Sequence, residues 1–236
     1  MSSLNNKIIV LTGATGGIGS SSAELLAKEK AILFLTAINR DKLAKLQKKL
    51  QKQTVTEAYT ADLAKEAEVK KLAQYIQKKF KRIDVLIHTA AVFHIHPLHE
   101  FTASQFAQTM DVNVKSIFLL VKYLLGLLKK SQSAHLIIVA SISAHHGWIY
   151  GGAYCASKSA LVTMAQSLRE ELTKYGIRVS VVSPGQVDTK MSLYPSDSIK
   201  RKSMLRPDDV GELILYAARL TKRAYFPEVI IRPVGL

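Results

Sequence analysis

The chain has 236 residues, of which 48% are hydrophobic, 22% charged and 7% aromatic, the composition of an ordinary globular protein. A single cysteine, Cys155, excludes an intramolecular disulfide framework and predicts a reducing, cytoplasmic environment. A net charge of +15 raises the possibility of nucleic acid, a membrane surface or an acidic substrate as a partner. Because the lysines are spread over many segments, we interpret them as solvated and predict neither a nucleic-acid nor a membrane partner.

Taken in chain order, short apolar or β-branched runs alternate with segments of helical period. The predicted strands are Lys7–Thr12, Ala31–Ala37, Thr54–Thr60, Val85–Thr89, His135–Ser141, Arg178–Val182 and Val229–Arg232. The predicted helices are Gly17–Glu29, Asp41–Gln51, Glu66–Lys79, Ser104–Lys129, Tyr154–Tyr175 and Pro207–Leu220. Single helices between strands require right-handed parallel crossovers. The sequence therefore predicts an α/β fold, a doubly wound Rossmann-type parallel sheet of about seven strands, as one domain over residues 1–236.

A glycine-rich segment connects the first strand to the first helix. It contains Gly13, Thr15, Gly16, Gly17, Ile18 and Gly19, in the spacing G-x-x-x-G-x-G. Small residues let the backbone turn sharply and approach a pyrophosphate, and the free amides of a helix start favour an anion. The segment predicts binding of a dinucleotide in the crevice beyond the carboxyl ends of the strands.

A second motif, Tyr154-x-x-x-Lys158, places a phenol and an ammonium on one face of a helix, where the cation favours the phenolate. Ser141 precedes Tyr154 by thirteen positions, and Asn113 lies in the long fourth helix. Together with the glycine spacing, these residues resemble the short-chain dehydrogenase/reductase family over nearly the whole chain.

The resemblance implies catalytic roles for four residues. Tyr154 would exchange a proton with the substrate oxygen, and Ser141 would orient that oxygen. Lys158 would hold the ribose hydroxyls and lower the tyrosine pKa, and Asn113 would help hold a water that links Lys158 to solvent. Further cofactor contacts are implied for Asp62, Leu63, Ala90, Pro184, Gly185, Val187 and Thr189, with Asp62 at the adenine and Thr189 at the carboxamide.

The sequence leaves the choice between NADP and NAD open. The family's usual NADP arginine aligns with Ile38, and no carboxylate that would bind the ribose of NAD appears before Asp41. Asn39 and Arg40 could meet a 2′-phosphate instead, so NADP is favoured. A departure from the family pattern lies after the fourth strand, where His88-Thr89-Ala90-Ala91 replaces the usual Asn-Asn-Ala-Gly.

Three histidines in the following loop, His94, His96 and His99, raise the question of a metal site, but nothing in their spacing enforces convergence. We therefore predict no metal. Trp148 and Tyr150, between Ser141 and Tyr154, either form an apolar wall of the substrate pocket or pack under the loop. Lys200, Arg201 and Lys202 either attract an anionic substrate or are solvated.

The expected activity is NAD(P)-dependent interconversion of a secondary alcohol and a ketone, in a homodimer or homotetramer as the family implies. The C-terminal segment Pro227–Pro233 resembles the branch that acts on 3-hydroxy acids and related small alcohols. Reduction of 3-oxoacyl groups on acyl carrier protein is an alternative, since an acidic carrier suits the basic charge. A redox-inactive dinucleotide sensor or scaffold is a third hypothesis, because a fold does not by itself imply chemistry.

Overall fold

The structure is a computed structural model that describes residues 1–192 and 201–234. Within these residues, seven strands form one parallel sheet in the order β3-β2-β1-β4-β5-β6-β7. The strands are β1 (Ile8–Thr12), β2 (Ile32–Ala37), β3 (Thr56–Thr60), β4 (Val85–His88), β5 (His135–Val139), β6 (Arg178–Pro184) and β7 (Glu228–Ile231). The doubly wound Rossmann-type sheet expected from the sequence is confirmed.

Helices cover both faces of the sheet. They are α1 (Gly17–Lys28), α2 (Arg40–Leu50), α3 (Glu66–Lys79), α4 (Ala103–Met110), α5 (Ser116–Leu128), α6 (Gly152–Thr173) and α7 (Pro207–Arg219). One apolar cluster lies between the sheet and α3, α5 and α6, and the other between the sheet and α1, α2 and α7. Because both faces are covered, the central strands carry apolar residues without alternation, and β1 is buried at all five positions. Among the described residues, no helix combines the length and the apolar character needed to cross a bilayer.

Local chemistry explains where several helices begin. Asn39 caps α2 by accepting a hydrogen bond from the Lys42 N–H, so this helix starts at Arg40, one residue before the predicted start. Pro207 occupies the first turn of α7, where proline needs no hydrogen-bond partner, and Asp209 accepts from the Arg206 N–H. The observed starts of these two helices therefore lie within a residue or two of the predicted starts.

The long helix predicted over Ser104–Lys129 is interrupted by a π turn at Asp111–Lys115, which joins α4 to α5. The N–H of Ser116 donates to the carbonyl of Asp111, five residues earlier, so one extra residue is accommodated in the turn. Insertions of this kind are frequently found at functional sites. Asn113, one of the four predicted catalytic residues, lies inside this turn and is fully buried.

The winding of the sheet reverses at β1, which has β2 on one side and β4 on the other. Such a reversal opens a crevice beyond the carboxyl ends of the strands, where ligands of this fold bind. The glycine-rich segment follows β1, Ala90 follows β4, and Ser141 follows β5. The fold therefore brings the predicted site residues to one edge of the sheet.

Candidate active site

The glycine-rich segment packs closely against its neighbours. Gly13 has φ +66°, and a Cβ there would lie 2.6 Å from the Ala90 nitrogen. A Cβ on Gly19 would lie 2.2 Å from the Gly13 carbonyl oxygen, and one on Gly17 would lie 2.5 Å from Cγ2 of Thr189. Gly13 therefore packs directly against the Ala90 backbone, Gly17 against the Thr189 side chain, and Gly19 against the Gly13 carbonyl.

The hydroxyls of Ser141 and Tyr154 are brought together from two elements. Ser141 follows β5 in an extended conformation and caps the 3₁₀ turn Ile142–Ala144, accepting from the Ser143 N–H at 3.1 Å. Strand β5 therefore ends at Val139, two residues before its predicted end at Ser141, because the Ser141 side chain caps the following turn. Tyr154, in the first turn of α6, interacts with the Ser141 hydroxyl.

Burial governs the protonation of the tyrosine. It raises the pKa of Tyr154 to about 12, while the Ser141 hydrogen bond opposes that rise and Cys155 adds to it. The lowering of the tyrosine pKa by Lys158 that the resemblance implies stays a prediction. Lys158 Nζ is 5.7 Å from the centre of the tyrosine ring. At neutral pH the phenol keeps its proton.

Lys158 lies four residues after Tyr154 on α6 and is buried. Its ammonium donates to the Val139 carbonyl at the end of β5, with an Nζ to oxygen distance of 3.1 Å. Burial lowers the pKa of Lys158 to about 8. The lysine is therefore largely charged at neutral pH and is held by a backbone carbonyl rather than by a carboxylate.

Asn113 connects the π turn to the loop after β4. Its Nδ2 donates to the Val92 carbonyl at 3.0 Å and to Ser157 Oγ at 2.9 Å, and its Oδ1 accepts from the Val92 N–H at 2.8 Å. Ser157 Oγ in turn donates to the Tyr154 carbonyl at 2.7 Å. The Asn113 amide is therefore connected to the Tyr154 backbone through the Ser157 hydroxyl.

His88 occupies the position where the family usually has asparagine, and it is fully buried. Nδ1 lies 2.9 Å from Thr12 Oγ1 on β1, and Nε2 lies 3.2 Å from Ser116 Oγ on α5. Burial, aided by the charge of Lys158, lowers the pKa of His88 to about 3, so the ring is neutral. Through these two contacts, His88 links the end of β1 to the first residue of α5. The sequence did not reveal this role of His88 and Ser116.

On the adenosine side of the crevice, the side-chain oxygen of Asn39 is used to cap α2, which leaves its amide N–H groups as donors. Arg40, next in the chain, is exposed at the start of that helix. Asp62 accepts from the Ala64 N–H at 3.0 Å and pairs with Lys65 at 3.5 Å, and Leu63 is buried beside it.

Strand β6 ends at Pro184, two residues beyond its predicted end at Val182, so the segment after it begins at Gly185. Gly185 N–H donates to the Ile231 carbonyl at 2.8 Å, and Val187 pairs with Leu205. Arg201 forms an ion pair with Asp188, and Lys200 lies outside the described residues. Thr189 reaches the glycine-rich segment, as described above.

The three loop histidines make three separate contacts. His94 Nε2 lies 2.9 Å from Gln108 Oε1, the His96 ring packs on Phe101, and His99 Nε2 lies 3.7 Å from Glu100. Among residues 1–192 and 201–234, no group of three or more histidine, cysteine or acidic side chains is arranged to hold a metal ion.

Sequence reasoning missed Phe93 as a residue of the site. Its ring packs edge-on against Tyr154, with centroids 4.6 Å apart, and lies 5.9 Å from the Trp148 ring. Tyr150, by contrast, is exposed and has φ +66°. Phe93 lies two residues beyond Ala91 and belongs to no sequence motif, so only the folded loop reveals its contact with Tyr154.

Comparison with known proteins agrees with this geometry. A model of the short chain dehydrogenase family matches residues 7–198. An uncharacterized oxidoreductase of Staphylococcus saprophyticus is 34% identical over 236 residues, covering 99% of this chain and 100% of the relative. The chain therefore belongs to the short-chain dehydrogenase family of oxidoreductases, and the resemblance carried by its motifs is confirmed.

Solved structures extend the comparison to the fold. An alcohol dehydrogenase from the archaeon Thermococcus sibiricus, complexed with 5-hydroxy-NADP, has a TM-score of 0.90 and 25% identity, covering 98% of each chain. A putative short chain dehydrogenase of Escherichia coli CFT073, complexed with NADPH, has a TM-score of 0.90 and 28% identity, again covering 98% of each chain.

Proposed function

We propose that the protein is an NADP(H)-dependent oxidoreductase that interconverts a secondary alcohol and a ketone by hydride transfer. The observation that supports this most strongly is the convergence of Ser141, Tyr154 and Lys158 beyond the carboxyl end of β5, beside the crevice next to the glycine-rich segment. These groups come from two elements, and each has a defined partner. A redox-inactive sensor would have no need of this arrangement.

The residues divide the chemistry between them. When bound, the nicotinamide supplies or accepts the hydride. Ser141 hydrogen-bonds the substrate oxygen and orients it. Tyr154, protonated because burial raises its pKa to about 12, donates its proton to that oxygen during ketone reduction. Lys158 binds the ribose hydroxyls, and Asn113 helps to hold a water that links Lys158 to solvent.

The residues of the crevice fit a nicotinamide dinucleotide. Gly13, Gly17 and Gly19 allow the close packing that the turn after β1 requires, and Gly16, at the N-cap of α1, has no side chain to cap the helix. The pyrophosphate would therefore meet free backbone amides. Further contacts come from the remaining residues of the predicted set: Thr15, Gly16, Ile18, Asp62, Leu63, Ala90, Pro184, Gly185, Val187 and Thr189.

We propose NADP rather than NAD as the preferred cofactor. Arg40 is exposed, and Asn39 has free amide donors, so both suit a 2′-phosphate. The Thermococcus and Escherichia relatives were crystallised with a modified NADP and with NADPH, which supports the same choice.

Substrate, assembly and location are part of the same proposal. The resemblance of the C-terminal segment supports a 3-hydroxy acid or a related small alcohol, and reduction of 3-oxoacyl groups on a carrier protein is the alternative. Family membership supports a homodimer or homotetramer. The single buried cysteine supports a cytoplasmic location, and one sheet joining all described strands supports a single domain.

The test is a panel of ketones assayed with NADPH and NADH, in the wild type and in Tyr154→Phe. Tyr154→Phe should lower kcat by at least about 1,000-fold, because the proton donor is lost, while the NADPH dissociation constant changes by less than about threefold. Carrier-linked substrates bound through charge should lose kcat/KM steeply with added salt. Near-normal turnover in Tyr154→Phe would contradict the assignment.

A further inference from the structure

The Phe93 and Trp148 rings belong to loops from different parts of the chain and meet beside Tyr154. Phe93 follows β4, and Trp148 follows β5. The Phe93 ring lies almost perpendicular to the Tyr154 ring, at 83°, with centroids 4.6 Å apart. The Trp148 ring centroid lies 5.9 Å from that of Phe93. We refer to Phe93 and Trp148 together as the aromatic wall.

Trp148 is fixed in place from two directions. Its indole N–H donates to Ser143 Oγ at 3.0 Å, and the Ser143 N–H donates to Ser141 Oγ at 3.1 Å. On the other side, a Cβ on Gly151 would lie 2.5 Å from the indole, so the ring packs directly on that backbone. The position of the indole is therefore tied, through Ser143, to the serine that would orient the substrate oxygen.

Both rings of the aromatic wall are only partly buried, so each keeps apolar surface that solvent reaches. A ring already held in place loses little conformational entropy when a ligand covers it. Aromatic pairs also gain from edge-to-face and offset-stacked contacts beyond the area that they bury. The wall is therefore suited to contact a flat, apolar group on the substrate.

The two loops that carry the wall offer no strong partner for a substrate carboxylate. Neither residues 91–101 nor residues 142–151 contain lysine or arginine. Of the two histidines of the second loop, His145 is paired with Glu228 at 2.7 Å and His146 is exposed. Apolar surface without a cationic anchor discriminates in favour of a neutral, apolar substituent.

We propose that the aromatic wall is a specificity site that selects secondary alcohols and ketones with a flat, aromatic substituent on the reacting carbon. This inference rests on the proposed function, because it takes Tyr154 and Ser141 as the groups that meet the substrate oxygen. It names the substrate class within that function, and it favours aryl ketones over short 3-oxo acids.

Trp148 is the only tryptophan of the chain, so its fluorescence reports on the wall without any turnover. Titration of the wild type with 1-phenylethanol should change the emission saturably, whereas 2-butanol and 3-hydroxybutanoate should bind at least about 10-fold more weakly. Phe93→Leu keeps an apolar side chain but removes the ring, and it should weaken 1-phenylethanol binding by about 10-fold.

The matched control is Tyr216→Leu, which removes an exposed ring from α7 on the opposite face of the sheet. It should bind 1-phenylethanol as the wild type does. The inference is overturned if 1-phenylethanol gives no saturable change in the wild type, or if Phe93→Leu binds it equally well.

Kinetics separate this inference from the function on which it rests. With NADPH, kcat/KM for acetophenone relative to 2-butanone should fall about 10-fold in Phe93→Leu and in Trp148→Leu. An unchanged ratio in both variants overturns the inference while leaving the proposed function intact. Saturable binding of 1-phenylethanol without reduction of any ketone would support the wall and contradict the proposed function.

Discussion

The side-chain amide of Asn113 holds both backbone groups of Val92, accepting from its N–H at 2.8 Å and donating to its carbonyl at 3.0 Å. This pair of bonds fixes the loop that carries Phe93 onto the π turn. Since Nδ2 also donates to Ser157, all of the strong bonds of one buried amide serve to align two elements of the site.

Replacing Asn113 by aspartate tests this alignment. Asn113→Asp keeps the shape and the acceptor toward the Val92 N–H, but it faces the Val92 carbonyl and Ser157 with an acceptor in place of a donor. We expect a loss of about 2 kcal/mol or more in the free energy of unfolding, measured by urea titration. Ser157→Ala removes the hydroxyl that bonds Asn113 and the Tyr154 carbonyl but places no acceptor against another acceptor. It should cost only about 1 kcal/mol, and equal costs would contradict the prediction.

The close contact between Gly13 and Ala90 leads to a second prediction. Gly13→Ala combines a positive φ with a Cβ 2.6 Å from the Ala90 nitrogen, so the backbone must move. We expect NADPH binding to weaken by at least about 100-fold, or about 2.7 kcal/mol. The matched control is Gly176→Ala, which has φ +68° but nothing within 4 Å of the added Cβ. It should lose stability without losing NADPH affinity.

Cofactor preference depends on Arg40 in the proposed function. Arg40→Glu reverses the charge beside the expected 2′-phosphate, so the dissociation constant of NADPH should rise at least about 10-fold. That of NADH should change little. Lys48→Glu makes the same change of charge in the last turn of α2 and should affect both cofactors slightly and equally. If the two variants raised the NADPH constant alike, general electrostatics rather than a specific contact would explain the effect.

Two buried histidines make stability depend on pH. Burial lowers the pKa of His88 and of His135 to about 3, while an unfolded histidine titrates near about 6.5. Between these values the unfolded chain binds protons that the folded chain does not. The free energy of unfolding therefore falls as the pH drops through this window, by up to about 1.4 kcal/mol per pH unit for each histidine.

His88→Asn installs the family's usual residue and removes one of these contributions. Urea titrations between about pH 6.5 and 5 should show a slope against pH roughly half that of the wild type. His99→Asn, on an exposed loop side chain, should keep the wild-type slope. A His88→Asn slope equal to that of the wild type would show that His88 does not carry the predicted share.

The sequence predicted most of the sheet because its strands are apolar runs separated by helices of regular period. It also located Ser141, Tyr154 and Lys158, whose spacing forms a recognisable motif. It did not predict the raised pKa of Tyr154, since the depth of burial depends on packing between α6 and the loops. Nor did it predict Phe93 or Ser157, because their roles arise from contacts between residues distant along the chain or from hydrogen bonds with no spacing rule.

The π turn between α4 and α5 makes this part of the chain intolerant of length changes. Each residue of a helix advances the side chains by about 100°, so deletion of one residue at 111–115 would relax the turn to a regular helix. Such a deletion would rotate Asn113 and its neighbours relative to the apolar side chains of α5. Homologues that diverge freely by substitution here should therefore preserve the number of residues between α4 and α5.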